Sequence, residues 1–163
     1  NNYLVLTIHR PSNVDDKNKL LQLVNVISRN SNNKKIIFPV HPRTKQNLGF
    51  KTKIPNLILT DPMGYLEFMF LIDNSRAVIT DSGGITEETT VLNVPCITLR
   101  DTTERPETVD MGTNILVGSR IKDLEIALEQ LFRSEWRDGV VPPLWDGKTG
   151  FRIVEQLIRL YNS

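Results

Sequence analysis

Short apolar runs alternate with segments of helical periodicity along the whole chain. The stretches 3–8 (YLVLTI), 35–40 (KIIFPV), 56–60 (NLILT), 77–80 (AVIT), 96–99 (CITL) and 114–117 (NILV) are rich in apolar and β-branched residues and predict strands. Between them, 17–30 carries Leu20, Leu21, Val24 and Ile27 at helical spacing, 65–73 (YLEFMFLID) reads as a helix, and another helix follows Gly84. Two amphipathic helices complete the pattern, at about 121–133 and 149–161, the second set apart by the Pro/Gly-rich stretch 138–150. The strands are continuously apolar rather than alternating, as expected where helices cover both faces of a sheet. Strand–helix alternation predicts one α/β domain, a Rossmann-like open parallel sheet with right-handed crossovers and helices on both faces.

Open α/β sheets bind ligands beyond the carboxyl ends of their strands, so the residues just after each predicted strand are the candidates for chemistry. They are His9 and Arg10, then His41, Pro42 and Arg43, then DPMGY (61–65), TDSGG (80–84) and RDTTERPE (100–107). Both histidines of the chain fall on this one edge.

The stretch TDSGGITEE (80–88) is the most informative. Ser82 suits an N-cap, and Gly83 and Gly84 let backbone N–H groups approach a ligand with no Cβ in the way. A helix start of this kind favours phosphate, although spacing alone leaves a plain capped turn equally open. On a helical wheel Ile85, Thr89 and Leu92 define the inward face; Glu88 falls beside it and Glu87 near the opposite, solvated side. A half-buried carboxylate needs hydrogen-bond donors, which ligand hydroxyls or a neighbouring loop would supply to Glu88. Arg105 stands before Pro106, where a helix can start, and suits bidentate phosphate or carboxylate recognition as well as a surface ion pair. His9 with Arg10 makes an anion clamp or a structural pair, and Met63 and Phe68 are helix core or lie against a base. The residues alone thus indicate an α/β domain for a nucleotide or sugar phosphate, with no reaction specified.

Composition narrows this further. With 163 residues, 39% hydrophobic and 24% charged, the chain suits one domain of ordinary size. Lys and Arg number 20 against 19 acids, a balance that gives no footprint for nucleic acid or an anionic membrane. A single cysteine, Cys96, excludes an internal disulfide framework and a Cys-based zinc site, and its place in VPCITL predicts a buried thiol. No run approaches the roughly 18 apolar residues of a membrane span, and the start lacks a basic n-region, so a cytoplasmic setting is expected. A strand beginning at the third residue, with no initiating Met, suggests a piece of a longer chain.

Taken in order, TIHRPSN (7–13), PVHPR (39–43), DPMGYLEFMFL (61–71), TDSGGITEE (80–88), LRDTTERPETVDMGTNILVG (99–118) and PLWDGKTGFRIVEQL (143–157) resemble the motifs of the non-hydrolysing UDP-N-acetylglucosamine 2-epimerases. The resemblance covers nearly the whole chain. Those enzymes have two Rossmann-like domains in a GT-B arrangement, and this chain is similar to the C-terminal, UDP-binding one. The resemblance implies that Ser82, Gly83 and Gly84 hold the diphosphate, Glu88 the ribose hydroxyls, Arg105 a phosphate, and Phe68 and Met63 the uracil. It makes His9 the histidine near the diphosphate implicated in catalysis, and Arg10 and His41 members of a second, allosteric UDP-N-acetylglucosamine site. The implied reaction is anti-elimination of UDP to 2-acetamidoglucal followed by re-addition that inverts C2, with no cofactor or metal. The family's acid/base carboxylates lie mainly in the N-terminal domain, the whole enzyme is a homodimer, and the helix at 149–161 is expected to pack toward the other domain. A hydrolysing 2-epimerase and a GT-B UDP-sugar glycosyltransferase are the alternatives. The common HRxEN reads HRPSN here, which removes a Glu from the motif, while GIQEE reads GITEE and LGxP reads LNVP.

Overall fold

The computed structural model describes residues 2–48 and 54–162. Its elements are β1 (Tyr3–Thr7), α1 (Pro11–Val14), α2 (Lys17–Arg29), β2 (Lys35–Pro39), α3 (Pro42–Leu48), β3 (Leu57–Thr60) and α4 (Tyr65–Asp73). Then come β4 (Ala77–Thr80), α5 (Gly83–Val91), β5 (Cys96–Thr98), α6 (Pro106–Asp110), β6 (Asn114–Leu116), α7 (Ile121–Phe132) and α8 (Thr149–Tyr161). Every predicted strand and helix is present. The helices α1, α3 and α6 are too short to show a periodic pattern, and each begins at a proline, whose missing N–H costs nothing in the first turn. Asp16 caps α2 by accepting from the N–H groups of Asn18 and Lys19 at 2.8 and 3.2 Å.

The six strands are parallel in the order β3-β2-β1-β4-β5-β6. Successive side chains of a strand serve opposite layers. Leu4 and Leu6 of β1, with Ala77 and Ile79 of β4, join α2 (Leu20, Val24, Ile27) and α7 (Leu124, Leu128, Leu131) in the larger core. Val5 and Val78 point the other way, to Ile72 of α4 and Val94, flanked by half-buried Phe68, Ile85 and Leu92. Truncating a buried leucine in such a layer costs about 2–5 kcal/mol. Cys96 is buried on β5 as expected, and burial pushes its thiol up to about 11.

The chain winds outward in both directions from β1 and β4. That pair is the topological switch point, where strand order reverses and a crevice opens beyond the carboxyl ends. One element stands apart: no residue of α8 is buried, and Phe151, Val154, Ile158 and Tyr161 form an exposed apolar stripe at helical spacing.

Candidate functional site

The register Thr7↔Thr80 brings the ends of β1 and β4 side by side, and one carboxylate ties together the two turns beyond them. Asp81 is fully buried. The backbone N–H of His9 donates to its Oδ1 and Oδ2 at 3.1 and 3.2 Å, that of Arg10 to Oδ2 at 2.9 Å, and the Asn13 amide to Oδ2 at 3.0 Å. The Nδ1 atom of His9 lies 3.0 Å from Oδ1, and Arg10 Nε donates to the Asp81 carbonyl at 3.0 Å. A buried carboxylate is stable when its lone pairs are filled in this way. Asp81 therefore fixes the turn and lies against the imidazole of His9, whose side chain is 56% exposed. The sequence pattern hid Asp81 inside TDSGG, where glycines and serine drew the chemical interpretation.

Ser82 opens α5 with extended backbone, but its hydroxyl makes no capping bond, contrary to the expected N-cap role; its own N–H donates to Thr80 Oγ1 at 2.9 Å. The hydroxyl and the first-turn amides, which have no intrahelical partner, are thereby left for an external acceptor. The two glycines differ. A Cβ on Gly84 would meet nothing within 4 Å, whereas one on Gly83 would lie 3.2 Å from Arg100 Nη1 and 3.5 Å from Glu104 Oε2.

The inward face of α5 is Thr86, Thr89 and Thr90, whose hydroxyls bond back to Gly83 O (2.6 Å) and Thr86 O (3.1 and 2.8 Å). Ile85 and Leu92 are only half-buried, toward α4. This rotation changes the paired acids. Glu87 is not a freely solvated residue, because its Oε1 accepts from Arg105 Nε. Glu88 is half-buried and lies beside the Tyr65 side chain. Burial, chiefly, pushes the Glu88 carboxyl above its ordinary range; the Tyr65 hydroxyl opposes this and the charge of Glu87 adds to it. The charge of Glu88 in turn raises the Tyr65 hydroxyl. A cavity of about 470 Å³ adjoins the pair, walled by Tyr65, Met69, Leu92 and Trp145. Trp145 did not stand out in the sequence, where it read as loop, and Tyr65 appeared only as the end of DPMGY and the start of a helix. Phe68, one turn along α4, packs into the smaller core, and Met63 is half-buried in the loop before it.

Beyond β5, Arg100 and Glu104 form a bidentate pair at 2.8 and 2.6 Å. The guanidinium holds the Glu104 carboxyl down at about 2. Arg10, Lys19 and Arg100 share a cavity of about 400 Å³ on this side. Arg105 stands at the start of α6, with its Nη1 donating to Glu104 O at 3.1 Å. His41 lies further out, exposed at the end of β2, and Lys45 N donates to its carbonyl at 3.0 Å. Among the described residues no group of three or more His, Cys, Asp and Glu is placed to hold a metal ion, and no helix is long and apolar enough to cross a membrane.

Amides at a helix start, a hydroxyl, a fixed imidazole and several guanidinium groups thus converge on the switch point. This arrangement can bind an anion and stabilise negative charge that develops on a leaving group.

Comparison with known proteins agrees with this chemistry. The family model described as UDP-N-acetylglucosamine 2-epimerase matches residues 1–158. A UDP-N-acetylglucosamine 2-epimerase of Methanocaldococcus jannaschii is 46% identical over 95% of this chain and 44% of its own length. The structure of the M. jannaschii UDP-GlcNAc 2-epimerase in complex with UDP-GlcNAc and UDP superposes with a TM-score of 0.79 at 43% identity, covering 96% of this chain and 45% of that one. The Neisseria meningitidis UDP-GlcNAc 2-epimerase bound to UDP-GlcNAc gives 0.81 at 31% identity, over 96% and 44%. An Escherichia coli heptosyltransferase shares the fold alone, with a TM-score of 0.57 at 13% identity over 82% of this chain and 43% of its own. The chain therefore spans less than half the length of these proteins, as one Rossmann-like half of a GT-B arrangement. With a family match along nearly its whole length, the chain belongs to the UDP-N-acetylglucosamine 2-epimerase family.

Proposed function

We propose that this chain is the UDP-holding domain of a non-hydrolysing UDP-N-acetylglucosamine 2-epimerase, which interconverts UDP-N-acetylglucosamine and UDP-N-acetylmannosamine by eliminating and re-adding UDP. The observation that carries the proposal is the unit formed by Asp81, His9 and the glycine turn of α5 at the β1/β4 switch point. Elimination requires a base for the C2 proton and stabilisation of departing UDP. This domain supplies the second: Ser82, Gly83 and Gly84 receive the diphosphate, and His9 presents Nε2 to it. Arg105 adds positive charge, Glu88 and Tyr65 accept the ribose hydroxyls, and Met63 and Phe68 lie on the uracil side.

The acid/base carboxylates belong to a second lobe, on which α8 docks with its apolar stripe, and Arg10 and His41 serve a second nucleotide-sugar site. The whole enzyme works as a cytoplasmic homodimer without a metal or cofactor.

Incubating the complete enzyme with UDP-N-acetylglucosamine and following the sugars by NMR tests the proposal. A mixture of the two UDP-sugars is expected. Free N-acetylmannosamine would identify a hydrolysing enzyme instead, and reaction only in the presence of an acceptor would identify a glycosyltransferase.

A further inference from the structure

We propose that Arg100 is a diphosphate-holding cation of this cleft, and that Glu104 is a built-in anion that occupies its guanidinium until the ligand's phosphates displace it. The inference rests on the assignment of the chain as a UDP-holding domain and adds to it a residue and a competition.

Three observations carry it. First, the Arg100–Glu104 pair lies directly against the glycine turn. A methyl group at Gly83 would sit 3.2 Å from Arg100 Nη1 and 3.5 Å from Glu104 Oε2. A carboxylate thus already occupies space beside the first turn of α5, where a phosphate would lie. Second, the two partners are unequally held. The Arg100 side chain is 8% exposed and Glu104 is 64% exposed, so the cation is built into the wall while the anion faces solvent. Arg105, by contrast, is an outer residue engaged by Glu87. Third, the charges around the pair favour an incoming anion. Arg10 and Lys19 share the neighbouring cavity with Arg100, against one further acid, Asp101, while Asp81 is already filled by its own donors.

A guanidinium binds carboxylate and phosphate with the same two-pronged geometry, so the exchange replaces like with like. The pair that is broken has a solvent-facing carboxylate, and such ion pairs contribute little. A diphosphate carries more charge than one carboxylate and also reaches the α5 amides, so it wins the exchange. Glu104 then acts as a competitor that weakens binding and speeds release of the nucleotide.

Calorimetry of the chain with UDP, inorganic pyrophosphate and uridine tests the inference. Arg100→Met is expected to weaken UDP and pyrophosphate by roughly 10-fold, the equivalent of one charge-assisted hydrogen bond, and to leave uridine unchanged. Glu104→Gln is expected to tighten UDP and pyrophosphate several-fold, again without effect on uridine. If wild-type chain binds no UDP, the UDP-holding assignment fails and the inference with it. If wild type binds UDP and Arg100→Met binds it equally well, the inference alone fails. If Glu104→Gln binds UDP no more tightly than wild type, displacement is refuted. Should Arg100→Met not fold, the sign of the change in the exposed Glu104→Gln variant still decides.

Discussion

The Nδ1 atom of His9 lies 3.0 Å from Oδ1 of Asp81, a carboxylate with no exposed surface that also receives the N–H groups of His9 and Arg10. The two residues are 72 positions apart, and their contact ties the end of β1 to the turn that opens α5.

Asp81→Asn is expected to destabilise the chain and to free the imidazole. The new amide nitrogen would face a donor, His9 or Arg10, at a buried position, a loss of about 1–3 kcal/mol. Urea denaturation checks the stability. Nitrogen-15 NMR of the ring checks the tautomer, with His41 as the internal comparison. A wild-type ring protonated mainly on Nε2, or an unchanged ring in the variant, would remove Asp81 from this role.

Glu88 is expected to trade stability for binding. Its carboxyl is raised mainly by burial, so the folded chain binds this proton more tightly than the unfolded chain does. The resulting penalty is absent below the ordinary carboxylate range, grows as pH rises toward the raised folded value, and is complete above it. Glu88→Gln is therefore expected to be at least as stable as wild type at pH 7, with the difference vanishing in acid, while UDP affinity falls by about 1–3 kcal/mol. Urea titrations at the two pH values and calorimetry measure both. A variant less stable at pH 7, or one with wild-type affinity, contradicts this account.

Much of this was legible in the sequence because it depends on periodicity and position. Continuous apolar runs such as AVIT marked the central strands, and the loops after them carried Ser82, Gly83 and His9 to one edge. What the sequence could not show depends on rotation and on long-range pairing. The wheel built on Ile85, Thr89 and Leu92 placed Thr89 inside and Glu88 beside it but missed Thr86 and Thr90, because threonines that bond back to their own helix can be buried at little cost. Glu87 consequently emerged as the partner of Arg105, the surface ion pair that the sequence left open beside phosphate recognition. Asp81 and Arg100 acquire meaning only when β1, β4 and the loop after β5 come together.

The Arg100–Glu104 pair makes a titration prediction. Glu104 is held at about 2 against an ordinary value of 4.5. Because Glu104 faces solvent, the pair contributes little stability, and what it contributes above the ordinary carboxylate range is lost as pH falls toward 2. Carbon-13 NMR of the Glu104 carboxyl is expected to give a midpoint well below those of the other glutamates. A midpoint near 4.5 would mean that the pair does not persist in solution.

The two glycines of the turn differ in the room they leave for a side chain. Both lie in the first turn of α5, where alanine is favoured over glycine by up to about 1 kcal/mol. Gly84→Ala meets open space and is expected to stabilise the chain. Gly83→Ala presses on Arg100 and Glu104 and is expected to forgo that gain and to weaken pyrophosphate binding. Thermal denaturation of the two variants provides the comparison, with calorimetry for Gly83→Ala; equal gains in stability would place the ion pair elsewhere.

The outer face of α8 tests whether this helix is held by its own domain. Phe151, Val154, Ile158 and Tyr161 are exposed, and the helix start is fixed by Arg152 paired with Asp146 rather than by the core. Substituting exposed positions usually changes stability by less than about 0.5 kcal/mol. Ile158→Lys in this chain is expected to fall within that range, whereas Leu128→Ala, in the larger core, is expected to cost about 2–5 kcal/mol. In the complete enzyme the same Ile158→Lys change is expected to lower stability and activity, because a charge would enter the face proposed to dock on the second lobe. Urea curves on both proteins measure the difference. A large loss in the short chain would show that α8 packs locally, and no loss in the complete enzyme would show that the stripe has no partner.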